Sequence, residues 1–222
     1  AVKGVNKIII PAMGTIQPAR QVDLSAQVSG KIIDVSSEFV PGGRFLEGQL
    51  IVSIDPADYK LLTEQRSSDL QAAQAEYRIE QGQQAIAKHG YELLGETFSD
   101  EDEEFVLRKP QLSAKEAAVD MAKAKLEQAR IDLTRTTVTA PFNCMIIERF
   151  ADKGTSVNVG GKLVSIVGID EYWIEVSVPM DELKWLVIPD NRSAKGSKAK
   201  VFTPGSNGSG AYRTGYITAI RG

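Results

Sequence analysis

The chain has 222 residues, 42% hydrophobic and 25% charged, and its 26 Lys and Arg against 29 Asp and Glu give a net charge of −3. This ordinary globular usage allows a buried core, while the lack of a basic surplus provides no electrostatic footprint for nucleic acid or for an anionic membrane surface. A single cysteine, Cys144, excludes an intramolecular disulfide, a cysteine-based zinc site and a thiol redox pair.

The start of the chain carries no targeting pattern. It lacks the basic stretch and the apolar stretch of a secretory signal. The longest apolar runs, around Ser165, are far shorter than the ~20 residues that cross a bilayer. We therefore expect any export signal or lipid anchor to have been removed or to lie outside these residues.

The first segment, up to Asp55, is rich in Val, Ile, Ser, Thr and Gly, which is typical of short strands and turns. The strand-like runs 25–33 and 51–54 flank two glycines, Gly42 and Gly48. We expect a tight turn at Gly42, where a positive φ favours glycine.

Residues 56–136 are instead rich in helix-forming Ala, Gln, Glu, Leu, Lys and Arg. Asp55 followed by Pro56 predicts the start of a helix. At 100° per residue, the apolar and small side chains fall on one stripe, and Gly95 is the predicted stop. The stripe contains Tyr59, Leu62, Leu70, Ala73, Tyr77, Ala87, Tyr91 and Leu94.

A heptad repeat follows and predicts the seam of a coiled coil. Its members are Phe105, Leu112, Val119, Leu126 and Leu133, with Ala122, Ala129 and Thr136 at the complementary position, which Arg108 and Lys115 also occupy. Pro110, on the outer face, predicts either a kink or a helix that truly begins near Gln111. Ser99 and Asp102 resemble a capping box. The two stripes predict an antiparallel α-helical hairpin with arms of about 36 residues and mostly solvated outer faces.

The pattern of the first segment returns after the hairpin. Gly154 and Gly160 repeat the spacing of Gly42 and Gly48, and the strand-like runs 139–147 and 163–166 flank them. Two such copies that face each other predict a small, flattened β-sandwich.

A known family carries these features together. The two half-motifs, with turns at Gly42, Gly48, Gly154 and Gly160, resemble the halves of a lipoyl/biotinyl carrier domain, and the hairpin takes the place of that domain's modification turn. The run from Leu126 to Phe142, L-x-x-A-x-x-x-L-x-x-T-x-V-x-A-P-F, resembles the signature of periplasmic adaptor subunits, or membrane fusion proteins. Residues 107–112, 172–176 and 181–183 are similar to the resistance-nodulation-division (RND) efflux branch.

The resemblance implies a mixed α and β, elongated multidomain fold. Residues 1–20 and 169–222 would form an incomplete β-barrel domain, residues 21–55 and 137–168 a split lipoyl-like sandwich, and residues 56–136 the hairpin. In the barrel domain we expect Ile174, Val176 and Val178 to point inward, a short helix over 181–187, and strands over 198–202 and 212–220. The chain would then be part of a longer adaptor.

The resemblance also implies a function. An adaptor of this kind links an inner-membrane, proton-driven efflux transporter to an outer-membrane channel in the periplasm of a Gram-negative cell. It would self-associate into a ring, be anchored to the inner membrane by a segment outside this chain, and need no cofactor. We expect the hairpin tip to bind the channel or a neighbouring tip; its predicted residues are Leu93, Leu94, Thr97, Phe98 and Asp100.

Two alternatives remain at this point: an adaptor of an ATP-driven export system, and a lipoyl or biotinyl carrier subunit. A carrier would present a lysine at a bare turn, where this chain has the hairpin.

Enzyme chemistry is not expected, because the single histidine, His89, and Cys144 lie on different predicted elements.

Three features have ordinary structural interpretations. His89 is expected to be a solvated helix residue, and the acidic run 100–104 a helix start without the spacing of a calcium loop. Asn143 and Cys144 stand where the family has Asp-Gly, so that turn must accommodate a side chain. Cys144 itself is expected to be a small buried filler.

Overall fold

The computed structural model describes residues 8–94, 100–189, 196–202 and 212–220, with backbone alone for Leu94 and residues 100–102. Two compact units are present. Pro18–Tyr172 form the larger unit, and the described residues on either side of it form the smaller one.

In chain order the elements are β1 (Gly14–Pro18), β2 (Gln21–Ser25), β3 (Gly30–Val35), β4 (Arg44–Phe45), β5 (Leu50–Ile54), α1 (Ala57–Leu94), α2 (Asp100–Val106), α3 (Lys109–Thr134), β6 (Thr137–Thr139), β7 (Cys144–Arg149), β8 (Ser156–Val157), β9 (Lys162–Gly168), β10 (Tyr172–Val176), α4 (Met180–Leu183), β11 (Lys198–Phe202) and β12 (Tyr212–Tyr216).

The larger unit contains a sandwich of two four-stranded antiparallel sheets. The strand orders are β2-β9-β7-β4 and β6-β5-β3-β8. Each sheet therefore takes two strands from before the helices and two from after them. The sequence predicts two copies that face each other; in the structure the copies also exchange strands.

Matched hydrogen bonds join the two copies. The N–H of Gly42 donates to the carbonyl of Ile146 at 2.9 Å, and the N–H of Gly154 donates to the carbonyl of Ile32 at 2.8 Å. The second pair of turns repeats this relation, with bonds of 2.8 Å from Gly48 to Ala140 and from Gly160 to Ala26. The positive φ predicted at Gly42 and Gly154 is confirmed, at 87° and 93°. Each turn of one copy is thus fixed by a strand or strand end of the other.

The core of the sandwich lies between its two sheets. Its largest fully buried side chains are Phe39, Phe45, Ile32, Ile51, Ile54, Ile146, Leu163 and Ile166. Burial of each such side chain contributes about 1.5–3 kcal/mol. Cys144 is also fully buried in this core, as predicted, and burial raises the pKa of its thiol.

The turn that departs from Asp-Gly is held by its own side chain. The Asn143 Oδ1 atom accepts the N–H of Glu47 at 3.0 Å, and its Nδ2 atom donates to the Asp170 carboxylate at 3.1 and 3.3 Å. The amide therefore bridges segments from both copies of the motif.

The helices α1, α2 and α3 form the hairpin, which is inserted between β5 and β6. Asp55 Oδ1 accepts the N–H of Ala57 at 3.0 Å, so the predicted helix start is confirmed. The first arm is one helix of 38 residues, whereas the returning arm is divided into α2 and α3. Of the two outcomes predicted for Pro110, the structure has the new helix start, at Lys109. No helix among the described residues has the length and apolar character that crossing a bilayer requires.

The smaller unit contains two two-stranded sheets, β1-β10 and β11-β12. The predicted strand 198–202 is confirmed, but the strand from Tyr212 ends at Tyr216, and the helix predicted over 181–187 spans Met180–Leu183. The prediction that Val176 points inward is wrong, because its side chain is 47% exposed. Val176 lies beside Gly14, which has no side chain to cover it.

These elements confirm the predicted mixed α and β class, with a split sandwich and a helical hairpin. The division of the chain into barrel, sandwich and hairpin domains stays a prediction.

Candidate functional site

The hairpin is the candidate site, and an apolar seam holds its two arms together. The α1 stripe is half-buried throughout its seven members with described side chains: Tyr59, Leu62, Leu70, Ala73, Tyr77, Ala87 and Tyr91. On α3, Leu126 is buried together with Ala122 and Ala129. Leu112, Val119 and Leu133 are half-buried. The two helices pack along this line.

The predicted seam is wrong at Phe105, which lies on α2 and is 66% exposed. A heptad keeps its phase only within one continuous helix. Here the helix ends at Val106 and a new one begins at Lys109. The backbone between them leaves the helical conformation at Arg108, whose φ is 54°.

A charged cluster joins the arms next to this break. The Arg108 guanidinium donates from Nε to Glu80 Oε1 at 2.6 Å and from Nη2 to Glu80 Oε2 at 3.0 Å. The same Nη2 atom donates to Gln83 Oε1 at 2.7 Å. Glu80 is only 7% exposed, although it is charged. The hydrogen bonds from Arg108 hold the pKa of the Glu80 carboxyl below its usual range.

A second ion pair lies two helical turns further along α3. Lys115 Nζ donates to Glu76 Oε2 at 2.8 Å. This contact lowers the pKa of Glu76 and raises that of Lys115. The heptad pattern predicts Arg108 and Lys115 on the seam but does not identify their partners on α1. The available signal was the spacing of Glu76 and Glu80, four residues apart on α1, because such residues lie on the same side of a helix.

The root of the hairpin is tied to the sandwich by polar contacts. Tyr59 Oη donates to the carbonyl of Ser29 at 2.7 Å, in the segment just before β3. Thr63 Oγ1 donates to the Tyr59 carbonyl at 2.8 Å and lies 3.4 Å from the Ala129 carbonyl on α3. Ile54 donates its N–H to the carbonyl of the buried Thr136 at 2.8 Å. The direction in which the hairpin leaves the sandwich is therefore fixed at several points.

The predicted tip residues are only partly described. Leu93 is exposed on the last turn of α1. Leu94 ends α1 and Asp100 begins α2, each with its backbone alone described. Thr97, Phe98, the predicted stop Gly95 and the capping residue Ser99 lie outside the described residues. The role of these residues in binding stays a prediction.

An apolar stripe runs along the outside of α1, where the sequence predicts a mostly solvated face. Ile79, Ile86 and Leu93 recur every seven residues and are 62%, 76% and 75% exposed; we call these three residues the outer stripe. Gly82 and Gly90 lie between them, and a Cβ added to either would meet nothing within 4 Å. Packing within this chain does not explain these glycines, and three exposed apolar side chains on one face of a helix form a candidate interaction surface.

The residues considered for metal binding or catalysis, His89 and Cys144, lie on different elements of the structure. The part of the chain that the structure describes contains no group of three or more His, Cys, Asp and Glu side chains placed to hold a metal ion. His89 is exposed on α1, as expected, and Cys144 is buried on β7. The hairpin instead presents a long surface for binding, and its root is held to the sandwich by hydrogen bonds.

The chain is similar to several known proteins. Residues 20–170 match the family model described as RND MFP, barrel-sandwich hybrid domain. The multidrug efflux pump subunit AcrA of Escherichia coli K12 is 28% identical over 200 residues, which cover 88% of this chain and 49% of AcrA. The multidrug resistance protein MdtA of Proteus mirabilis is 23% identical over 186 residues, or 81% of this chain and 43% of MdtA. The chain thus spans about half the length of these curated relatives.

A solved structure shares the fold. It is a MacA-MexA chimeric protein that contains the α-hairpin domain of Pseudomonas aeruginosa MexA. The TM-score is 0.54 at 23% identity, over 95% of this chain and 66% of that one.

Proposed function

The chain belongs to the RND membrane fusion protein family, and on that premise we propose that it is the adaptor of a tripartite efflux pump. It links an inner-membrane, proton-driven transporter to an outer-membrane channel in the periplasm. The observation that carries this proposal is the long hairpin set between two strand-exchanged halves of one sandwich and tied to it by Tyr59.

A hairpin of this kind suits a bridging protein. At 1.5 Å per residue, α1 is about 57 Å long. Its root is fixed by hydrogen bonds and its arms are joined by a packed seam, so a partner bound at the far end is held at a defined distance from the sandwich. The role is one of binding and geometry, without catalysis or a cofactor.

Self-association into a ring is part of the proposal. The outer stripe of Ile79, Ile86 and Leu93 has the seven-residue spacing by which helices pack against one another. One hairpin cannot enclose a conduit, whereas a head-to-tail contact between identical copies generates a closed ring when the rotation closes. We assign the outer stripe to contact with a second copy of this chain.

The tip and the domain boundaries complete the proposal. Leu93, Leu94, Thr97, Phe98 and Asp100 are proposed to contact the outer-membrane channel or a neighbouring tip. The divisions at 1–20 and 169–222, 21–55 and 137–168, and 56–136 are proposed as barrel, sandwich and hairpin domains. A segment outside this chain is proposed to anchor the protein to the inner membrane. The family match favours this reading over an ATP-driven exporter or a lipoyl carrier.

The test is a deletion of the gene in its native host, with ethidium accumulation as the readout of efflux. We expect accumulation to rise on deletion and to return to the parental level with the wild-type gene. A matched variant in which a short Gly-Ser linker replaces residues 57–134 keeps both halves of the sandwich and is expected not to restore efflux.

Crosslinking and mass spectrometry separate the alternatives. In vivo crosslinking is expected to capture an RND transporter. Capture of an ATP-driven transporter would favour the other export system, and a lipoyl or biotinyl mass on a lysine would favour the carrier. Efflux that is unaffected by the deletion, without a crosslinked transporter, would overturn the proposal.

A further inference from the structure

The returning arm of the hairpin has a one-residue break. Among the described residues, Arg108 is the only non-glycine residue with a positive φ, at φ 54° and ψ 25°. Its N–H donates to the Phe105 carbonyl at 3.0 Å, and its carbonyl accepts the N–H of Leu112 at 3.0 Å. Arg108 therefore ends α2 and begins α3. We call Arg108 the joint.

Pro110 prevents the two helices from merging. Proline has no N–H to donate, and in a continuous helix its ring would clash with the carbonyl four residues earlier, that of Val106. The facing helix α1 is unbroken over the same stretch. Pro110 thus disfavours a straight continuous helix on one arm alone, and in the structure that arm is broken at Arg108. The direction of α2 depends on the backbone conformation of the joint.

The side chain of the joint is held by the opposite arm. A left-handed backbone is unfavourable for a residue with a side chain, and it persists where surrounding contacts maintain it. Here the contacts are the fork from Arg108 to both carboxylate oxygens of Glu80 and the further bond to Gln83. A bidentate pair fixes orientation as well as distance. Both acceptors lie on α1.

The proximal side of the joint is held independently. Lys115 pairs with Glu76 at 2.8 Å, and Leu126 is buried against the other arm. Beyond the joint, Phe105 is exposed, so α2 has no buried apolar side chain at this seam position. Its contact there is polar: burial and the Glu103 carboxylate of α2 raise the pKa of Tyr91 on α1. The two sides of the joint differ in what attaches them to α1.

We propose that Arg108 is a latched joint. The fork to Glu80 and Gln83 sets the angle between α2 and α3, and opening the fork lets α2 pivot while α3 stays packed on α1. The use of this motion rests on the proposed function: it adjusts the direction of the distal end of the hairpin as the channel docks.

The test measures two distances between pairs of spin labels in the full chain by double electron–electron resonance. The buried Cys144 is replaced by alanine so that only the introduced cysteines are labelled. An outer pair of labels, at Gln81→Cys and Phe105→Cys, spans α1 and α2. An inner pair, at Gln74→Cys and Ala124→Cys, spans α1 and α3. All four label positions are exposed.

Three variants separate the latch from general loosening. Glu80→Gln weakens the fork and leaves the joint residue in place. Arg108→Gly removes the fork but adopts a positive φ without penalty. Lys115→Met removes the neighbouring ion pair and serves as the matched control.

We expect Glu80→Gln and Arg108→Gly to widen the outer distance distribution at least twofold, with the inner one unchanged, and Lys115→Met to leave the outer distribution as in the wild type. Unchanged outer widths in both fork variants would overturn the proposal. So would equal widening of both pairs, or widening of the outer pair by Lys115→Met.

This measurement is independent of transport. Outer distances that stay unchanged in both fork variants overturn the latched joint even if the gene restores efflux. Failure of the wild-type gene to support efflux overturns the adaptor proposal even if the joint behaves as expected.

Discussion

Tyr59 donates its hydroxyl proton to the backbone carbonyl of Ser29 at 2.7 Å, although the two residues are 30 positions apart. Tyr59 lies in the first turn of α1 and Ser29 directly before β3. This one bond ties the start of the long helix to the sandwich.

Removal of the Tyr59 hydroxyl is expected to loosen the root of the hairpin. Tyr59→Phe keeps the ring and leaves the Ser29 carbonyl without this donor, so the free energy of unfolding should fall by about 0.5–1.5 kcal/mol. Urea titration measures it. Tyr77→Phe, on the same stripe but further from the sandwich, is the control. A loss no greater than that of the control would contradict the assigned role of the bond.

The hairpin is expected to lose stability in acid. Hydrogen bonds from Arg108 and Lys115 lower the pKa values of Glu80 and Glu76 in the folded state. A carboxyl with a lowered folded pKa stabilises the fold above its unfolded pKa, and that stabilisation is lost as the pH falls through the folded pKa. Thermal melts followed by helical circular dichroism between pH 7 and pH 3 should therefore show a falling midpoint.

Glu80→Gln tests the source of that pH dependence, since glutamine does not titrate. The variant should melt lower than the wild type at pH 7, and the difference should shrink towards pH 3. Asp23 of the sandwich also has a lowered pKa, caused first by its hydrogen bond with Lys162. Asp23→Asn is the matched control and should not alter the effect of Glu80→Gln. A constant difference at all pH values would contradict the prediction.

The same substitution is expected to have opposite effects at two kinds of glycine. Gly42→Ala and Gly154→Ala place a side chain at a positive φ, with an expected loss of about 1–2 kcal/mol each. A Cβ at either position would meet nothing within 4 Å, so the cost is conformational rather than steric. Gly90→Ala, inside α1, should stabilise by about 0.5–1 kcal/mol. Chemical denaturation measures all three, and equal signs would contradict this account.

The outer stripe is expected to mediate self-association. Ile86→Glu places a charge at its centre and should weaken association of the protein without reducing its helical content, because Ile86 is not part of the seam. Sedimentation velocity across a concentration series measures the effect. Ala85→Glu, also at an exposed position on α1, adds the same charge beside the stripe and is the control. Equal association of the two variants would remove the stripe from the interface.

The predicted tip is tested by Phe98→Asp. We expect normal helical content and loss of pump assembly, measured as copurification of the outer-membrane channel with the adaptor from membranes. Leu61→Asp, on the same hairpin near its root, is the control because Leu61 is exposed and far along the sequence from the tip. Assembly that survives Phe98→Asp would remove this residue from the binding surface.

Much of the fold follows from local patterns in the sequence. The duplicated glycine spacing predicts two matching sets of strands, because a positive φ favours glycine. Asp55 predicts the helix start, and the stripe from Tyr59 predicts the buried face of α1. These features depend on a few neighbouring residues, and for that reason the sequence alone contains them.

Other features depend on contacts that spacing does not encode. The heptad passes through Phe105 and Leu112 without interruption in the sequence, yet the backbone breaks at Arg108 between them. Pro110 was the local signal for that break. The partner of Arg108 is a residue on the other arm, which only the register of the two helices determines. The exchange of strands between the copies likewise depends on contacts between distant parts of the chain. The two half-motifs alone do not determine which strand pairs with which.

Strand exchange in the sandwich has a consequence for folding. In the chain, β3 and β5 precede residues 55–136, whereas their sheet is completed only by β6 and β8, which follow those residues. Before that sheet is complete, the early strands have unpaired edges, which are prone to aggregation. Because α1 and α3 pack antiparallel, their association brings Ile54 beside Thr136 and reduces the entropy cost of closing a long loop. We therefore expect formation of the hairpin to speed assembly of the sandwich.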